Sequence, residues 1–192
     1  MADKQSVEDN KKGGSVLREV LSWVKVIVVA VIIAAAVDFL VIANASVPSG
    51  SMEDTIPTGA RIVGLRPEYH FRKPQRGDIA IFKYPDDEST DYVKRVIGLP
   101  GETVEIKDGK VYIDGSDTPL IEPYVKETPT GDYGPYHVPE DSYFMMGDNR
   151  EYSKDSRFWE NKYVKLDKMV ARVHFMYFPK IKDLTFSYEE GQ

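Results

Sequence analysis

A long apolar run near the amino terminus limits most strongly what this chain can fold into. Residues 21–43 read LSWVKVIVVAVIIAAAVDFLVIA, and no charged residue lies between Lys25 and Asp38. Nearly every position is apolar, so a helix here has no polar face and belongs in a protein core or a membrane. From Lys25 to Ala45 such a helix would be roughly 30 Å long, about the thickness of the hydrocarbon core of a bilayer. We therefore predict a single transmembrane anchor over residues 21–45.

Two other interpretations of this run remain open. Ala43-Asn44-Ala45 has the small-x-small form of a signal-peptide cleavage site, which would make the run a cleaved leader. The stretch before the run is long for a signal peptide, which favours the anchor. The third interpretation is a buried helix of a soluble protein.

Basic residues are distributed unevenly around the run. Those near its start are Lys11, Lys12, Arg18 and Lys25, and the next basic residue after it is Arg61. The positive-inside rule then predicts that residues 1–20 form a cytoplasmic tail and that residues 46–192 lie outside the plasma membrane, with membrane lipid as a partner.

Composition excludes several kinds of function. The formal net charge of −6 gives no support to nucleic-acid binding. The chain has no cysteine, which excludes a disulfide scaffold, a thiolate metal site and a cysteine nucleophile. Hydrophobic residues make up 42% of the chain, a proportion that suits a folded domain.

Short β-rich segments separated by Pro, Gly and Asp follow the apolar run. We predict strands at residues 61–65, 78–84, 92–99, 103–107, 110–114, 142–146 and 170–178. Asp108-Gly109 predicts a tight hairpin, and a short helix is expected near Asp54 or residues 163–168. The predicted fold is mainly β, an antiparallel barrel or sandwich behind one transmembrane helix.

The stretch SVPSGSMEDT, residues 46–55, combines loop-forming residues with three serines. A serine hydroxyl is a weak nucleophile and needs a neighbouring base. His70, His137 and His174 lie in no catalytic motif, and structural or surface roles are expected for them. The stretch matches neither the G-x-S-x-G elbow nor the S-x-x-K arrangement, so a Ser-His-Asp hydrolase is not indicated.

Lys94 is the lysine best suited to act as a base. In DYVKRVIGL a strand would put Tyr92, Lys94 and Val96 on one face, and burial of that face would lower the pKa of the lysine. The alternative is a sheet-edge lysine that points to water.

The segment MGDNREYSKDSR, residues 146–157, is dense in polar residues. A metal-binding loop and a solvated loop are both open interpretations, and the segment does not match an EF-hand. Asp155 and Arg157 are candidates for a buried ion pair, and Ser153 for a hydrogen-bond donor.

These stretches, in this order, resemble the bacterial type I signal peptidase (leader peptidase) family. The resemblance is carried by PSGSM at 48–52, RGDIAIFKYP at 76–85, DYVKRVIGLPGE at 91–102 and MGDNREYSKDSR at 146–157, all behind an anchor. One departure from the family pattern follows the SGSM motif. Many members carry Pro two positions after this motif, whereas Glu53 and Asp54 follow it here. The short region 100–141 is expected to form a compact variable β subdomain.

The resemblance implies a role for each matching residue. Ser51 would be the nucleophile and Lys94 the general base, with Ser49 and the Ser51 backbone N–H as the oxyanion hole. Ser153 would orient Lys94. The supporting residues would be Asp148, Asp155 and Arg157, and the substrate groove would be lined by Val47, Met52, Ile56, Tyr92 and Val93.

The implied activity is removal of signal peptides from exported preproteins by a Ser-Lys dyad, after sites of the small-x-small type. No cofactor or metal is expected, and the enzyme would act as a monomer, with the secretion translocon as a further expected partner. Two alternatives stay open: a self-cleaving repressor, for which no DNA-binding helix-turn-helix is evident, and a non-enzymatic anchored β-domain in which Ser51 and Lys94 would be dispensable.

Overall fold

A computed structural model describes residues 2–127, 130–186 and 188, with side chains from residue 18 onward. The chain divides into two compact units, residues 1–41 and 42–192. In the first, helix α1 spans Ala2–Leu40. Its 23-residue segment Arg18–Leu40 contains an 18-residue window with a mean hydropathy of 2.7, so the segment is long and apolar enough to cross a membrane. The predicted span extended to Ala45, which was too far, because the strand that follows begins at Ile42.

The second unit is built from short strands. Strands β1 to β6 are Ile42–Val47, Ala60–Leu65, Ile79–Tyr84, Asp87–Gly98, Thr103–Lys107 and Lys110–Ile113. Strands β7 to β11 are Tyr133–His137, Ser142–Met146, Tyr163–Lys165, Met169–Phe178 and Lys182–Asp183. A short helix, α2, spans Glu68–Phe71, and 3₁₀ turns occupy Gly50–Met52 and Leu166–Lys168.

The strands form two antiparallel sheets. The larger follows the order β1-β2-β10-β3-β4-β8-β9, with β11 also pairing with β10. The smaller follows β6-β5-β7 and lies within residues 103–137, inside the range where the sequence predicts a small subdomain. The mainly β, antiparallel fold class behind one apolar helix is therefore confirmed.

Three clusters of buried side chains form the core of the second unit. One joins β1 and β2 to the turn between them through Met52 and Ile56, and a second surrounds Trp159 and Phe82. The third lies against the smaller sheet and contains Phe144. The first cluster lies under the serine-containing turn, so that turn rests on well-packed apolar side chains.

The seven predicted strands are present, with ends shifted by a few residues at most except for β4, which begins at Asp87. The sequence does not predict β1, β7, β9, β11 or α2. Strand β1 was hidden because its residues continue the apolar run, and the others are short or contain Pro or Gly. The helix expected at residues 163–168 is wrong in its first half, where β9 pairs with β8 before a 3₁₀ turn.

Candidate active site

A 3₁₀ turn directly after β1 carries Ser51. The carbonyl oxygen of Met52 accepts hydrogen bonds from the N–H groups of Thr55 and Ile56, at 3.1 and 2.7 Å. Met52 and Ile56 are fully buried and hold the turn to the core, while Ser51 is only 6% exposed. The hydroxyl therefore occupies a fixed, largely dehydrated position.

Lys94 lies on β4 and meets this hydroxyl. Its Nζ is 2.5 Å from Ser51 Oγ, and it lies 5.5 Å from the centre of the Tyr92 ring. The lysine is 4% exposed, so the alternative of a sheet-edge lysine pointing to water is wrong. Two residues that are 43 positions apart in sequence thus form a hydrogen-bonded pair.

Burial lowers the pKa of Lys94 from 10.5 to about 8, since few groups replace the water that would stabilise its charge. The carboxylates of Asp155 and Asp148 act in the opposite direction and favour the ammonium form. With a pKa of about 8, roughly one Lys94 side chain in ten is neutral at pH 7 and able to accept a proton.

The loop after β8 holds the backbone of the serine turn. The N–H of Asn149 donates to the carbonyl oxygen of Ser51 at 3.1 Å, and Asn149 Nδ2 donates to the carbonyl of Gly50 at 3.0 Å. Gly147 makes this approach possible, because a Cβ built there would overlap Ser153 Oγ and the Ser51 carbonyl oxygen. Gly147 and Asn149 were not predicted as site residues, although both lie inside the polar segment 146–157.

Asp155 and Arg157 form the buried ion pair that the sequence suggested. Arg157 donates from Nε and Nη2 to the two carboxylate oxygens at 2.8 and 2.9 Å, and the side chains are 2% and 0% exposed. Asp155 Oδ2 also accepts the N–H of Gly147 at 3.0 Å, and Arg157 Nη2 donates to the carbonyl of Arg150 at 2.7 Å. The segment is thus a buried, hydrogen-bonded loop, and the alternative of a solvated loop is wrong.

A second buried ion pair was not predicted. Arg95, next to the lysine, donates from Nε and Nη2 to the two oxygens of Asp148, at 2.8 and 2.6 Å. The side chains are 2% and 0% exposed, so breaking the pair would leave a buried charge without a counter-ion. This pair joins β4 directly to the loop that holds Ser51.

Ser49 and Ser153 differ in their contacts. Ser49 is exposed, with its Oγ 3.3 Å from Ser51 Oγ. Ser153 is 3% exposed, and its Oγ has no hydrogen-bond partner among the described residues. The expected contact from Ser153 to Lys94 is therefore not formed in this structure.

A cleft of about 400 Å³ opens beside the pair. Residues 45–49 form one wall and residues 90–94 of β4 the other, with Ile81 below. Of the predicted groove residues, Val47, Tyr92 and Val93 line this cleft, whereas Met52 and Ile56 are fully buried beneath it. Lining residues that the sequence analysis did not name include Ala45, Pro48, Ile81, Asp91, Tyr152 and Lys154.

None of the three histidines contacts Ser51 or Lys94. His70 is exposed, His137 Nδ1 lies 2.9 Å from Thr103 Oγ1, and His174 Nε2 lies 2.5 Å from Glu68 Oε2. Among the described residues, no group of three or more acidic, histidine or cysteine side chains is arranged to hold a metal ion. The reactive groups that the site brings together are the Ser51 hydroxyl and the Lys94 amine, whose pKa is lowered by burial.

Comparison with known proteins gives consistent matches. The family model described as signal peptidase, peptidase S26, matches residues 20–178. Signal peptidase I of Bacillus licheniformis is 38% identical over 169 residues, covering 82% of this chain and 88% of that protein. Signal peptidase I T of Bacillus subtilis strain 168 is 33% identical over 189 residues, covering 93% and 96%. Probable signal peptidase I-2 of a Synechocystis species is 36% identical over 160 residues, covering 81% and 72%.

Proposed function

Since the chain belongs to the type I signal peptidases of peptidase family S26, which are serine endopeptidases, we propose that it removes signal peptides from exported preproteins with Ser51 and Lys94 as its catalytic dyad. The observation that carries the dyad is the 2.5 Å separation of Lys94 Nζ from Ser51 Oγ in a buried setting. Neutral Lys94 accepts the serine proton as Ser51 Oγ attacks the scissile carbonyl carbon. The resulting ammonium then protonates the leaving amine as the C–N bond breaks, and water hydrolyses the acyl-enzyme.

We assign the oxyanion of the tetrahedral intermediate to two donors, the Ser49 hydroxyl and the backbone N–H of Ser51. The 3.3 Å between the two serine hydroxyls supports this assignment, because an oxygen bonded to the carbon attacked by Ser51 is then within reach of Ser49. The Ser51 N–H lies at the start of a 3₁₀ turn, where backbone donors lack partners inside the turn. Asn149 and Gly147 fix the turn that carries these donors.

The two walls of the cleft support recognition of the substrate as an extended strand. β1 is an edge of the large sheet, and β8 pairs with β4 only at Arg95, Val96 and Gly98, so residues 90–93 keep one unpaired edge among the described strands. A peptide lying between the two edges would hydrogen-bond through its main chain. The aliphatic side chains of Val47, Ile81 and Val93 leave room for small residues, which supports small-x-small cleavage sites.

The apolar helix makes the chain a single-pass membrane protein, and we propose that its N-terminus is cytoplasmic. The basic residues near the start of the apolar run support this orientation. Ser51 follows Leu40, the last residue of the helix, by eleven positions, so only a short stretch of chain joins them. We further propose that residues 46–192 work as an extracytoplasmic monomer, against membrane lipid and near the secretion translocon, on substrates that are themselves anchored.

The activity is tested with the full chain in lipid vesicles and a purified preprotein. We expect Ser51→Ala and Lys94→Ala to abolish cleavage while the circular dichroism spectrum stays unchanged. Exposed residues of the same types, Ser89→Ala and Lys110→Ala, serve as matched controls and should cleave normally. Mass spectrometry of the product identifies the bond that is cut. Retained cleavage by Ser51→Ala would overturn the assignment.

The orientation has its own test. The chain has no cysteine, so a Ser89→Cys variant carries a unique thiol on an exposed strand. We expect a membrane-impermeant maleimide to label this thiol on intact spheroplasts. Labelling only after lysis would reverse the proposed orientation.

A further inference from the structure

The segment after β10 folds back onto the catalytic unit. It lies beyond residue 178, where the match to the family model ends. β11 pairs with Phe175 and Met176, and Leu184 donates its N–H to the carbonyl of His174 at 2.8 Å and is only 4% exposed. We define the C-terminal strap as Leu184, Thr185, Phe186 and Tyr188. Its first residue is thus fixed to the large sheet.

The two aromatic residues of the strap contact Tyr124. The Phe186 ring packs edge-on against the Tyr124 ring, with 5.4 Å between centroids, and Tyr188 packs edge-on against Phe186 at 5.0 Å. The hydroxyl oxygens of Tyr124 and Tyr188 are 2.8 Å apart, within hydrogen-bonding distance. The strap is therefore joined to the loop before β7 by both apolar and polar contacts.

These rings cover Arg95. The guanidinium carbon lies 3.7 Å from the centre of the Tyr124 ring and 5.6 Å from that of Phe186. Arg95 also donates from Nη1 to the carbonyl of Gly77 at 2.6 Å. A Cβ at Gly77 would lie 2.7 Å from Phe186 and 3.2 Å from Tyr188, so the strap is closely packed against this backbone.

The covered guanidinium is the partner of Asp148, which stands in the loop that fixes Ser51. Excluding water strengthens such an ion pair, whereas hydration weakens it. Asp148 lies between Gly147 and Asn149, and Asn149 donates to the carbonyl of Ser51. The strap does not line the substrate cleft. A path of direct contacts thus leads from the strap to the serine turn without touching the substrate.

We propose that the C-terminal strap is a positioning element of the active site, in which Phe186 and Tyr188 seal Arg95 against Asp148 and thereby hold the loop that fixes Ser51 beside Lys94. This inference rests on the proposed dyad. It assigns the strap a role in catalysis rather than in substrate binding.

Loss of the strap should also change the proton affinity of Lys94. The titratable and charged groups facing Lys94 are Ser51 on the serine turn, Tyr92 on its own strand, and Asp148 and Asp155 on the loop after β8. If Arg95 becomes hydrated, the charge of Asp148 is less well balanced and favours the ammonium form more strongly. The pKa of Lys94 then rises, and a higher pH is needed to produce the neutral base.

The test compares Phe186→Ala, Tyr188→Ala and the conservative Tyr188→Phe in the full chain. Ile181→Ala, a variant in the same segment at an 86% exposed residue, is the control. We expect both alanine variants to lose about tenfold in kcat at neutral pH with KM unchanged, and the acid limb of the kcat profile to move to higher pH. Tyr188→Phe keeps the ring and should restore most of kcat, and Ile181→Ala should match the parent.

A second measurement is independent of cleavage. Lysine labelled with ¹³C at Cε allows the Lys94 resonance to be titrated by NMR, and the spectrum of Lys94→Met identifies the signal. We expect its midpoint to rise in both alanine variants. If that midpoint and kcat are unchanged while only thermal stability falls, or if KM alone rises, the inference is overturned. If the parent cleaves no preprotein but the midpoint still rises in these variants, the strap's effect on Lys94 stands and the proposed function fails.

Discussion

The backbone N–H of Asn149 donates a hydrogen bond to the carbonyl oxygen of Ser51, although the two residues belong to segments nearly a hundred positions apart. Through this contact the polar loop after β8 determines where the nucleophilic turn lies. Catalysis should therefore be as sensitive to the loop as to the dyad itself.

The rate of cleavage should depend on pH through Lys94. Its pKa is lowered to about 8 by burial, and only the neutral amine can accept the serine proton. We expect kcat to rise about tenfold per pH unit below that value and to level off above it. Measurement of kcat with saturating preprotein from pH 5 to 10 provides the test, and a flat acid limb would contradict Lys94 as the base.

Removing the lysine should stabilise the fold. Its pKa falls from 10.5 in the unfolded chain to about 8 in the folded one, so between these values the unfolded chain binds more protons and stability rises with pH. Below about pH 8 Lys94 is charged in the folded chain, and burying that charge lowers the free energy of unfolding by its full amount, on the order of 3 kcal/mol. We expect Lys94→Met to raise the free energy of unfolding at pH 7 by that order and to abolish its rise between pH 8 and 10. A variant that is less stable than the parent at pH 7 would contradict this view.

Gly147→Ala should damage the site by steric overlap. The added methyl group would overlap the Ser153 side chain and the Ser51 carbonyl oxygen, and the carbonyl cannot move away without displacing the nucleophilic turn. We expect kcat to fall at least a hundredfold, as a misplaced nucleophile implies. Gly115→Ala is the control: it lies in open space at a φ of 69°, so it should lose about 1 kcal/mol of stability and keep its kcat. Equal kcat values for the two variants would count against the overlap.

Asp148→Asn should leave Arg95 as a buried charge without a counter-ion. The expected loss is about 3–5 kcal/mol in the free energy of unfolding. The exposed pair of Lys126 and Asp54 is the matched control, and Asp54→Asn should cost less than about 1 kcal/mol. Urea denaturation of the four combinations of Asp148→Asn with Arg95→Met measures the coupling between the two buried charges. A coupling near zero would contradict the importance of the pair.

Val93→Ala should relax the choice of residue at the cleavage site. Val93 is half-buried on the wall of the cleft, and its truncation enlarges the space for a substrate side chain. We expect kcat/KM for a preprotein with Val in place of Ala before the cut to rise about tenfold relative to the Ala substrate. Val63→Ala, a half-buried valine outside this cleft, should leave the ratio unchanged. An unchanged ratio in Val93→Ala would remove this residue from the specificity pocket.

Much of the fold was predictable because its signals are local. The alternation along β2, β5, β6 and β10 and the uninterrupted apolar helix can be recognised within short windows. The anchor's end was misplaced because Ile42 and Ala43 continue the apolar run without a break, and only pairing with β2 makes Ile42–Val47 a strand. Propensity alone cannot supply such a tertiary contact.

The site was predictable only in part, for the same reason. From composition and spacing alone, Lys94 could have been a sheet-edge lysine and Ser51 an ordinary loop serine. Only the family resemblance predicted that the two residues act together. Arg95 and Asp148 carry no local sign of their pairing, since 53 positions separate them. Gly147 has a role only because the Ser51 backbone and the Ser153 side chain approach it, which no sequence window reveals.

The pairing of strand β1 affects how easily the enzyme could cleave itself. Ala43, Asn44 and Ala45, which together have the form of a cleavable site, are paired with Gly64, Val63 and Ile62 in the sheet. A protease that binds its substrate as an extended strand needs free backbone hydrogen-bonding groups. Cleavage at residues 43–45 therefore requires that β1 first separate from β2. The rate of self-cleavage at this site then depends on the free energy of local unfolding of β1, and not only on whether the sequence matches a cleavage site.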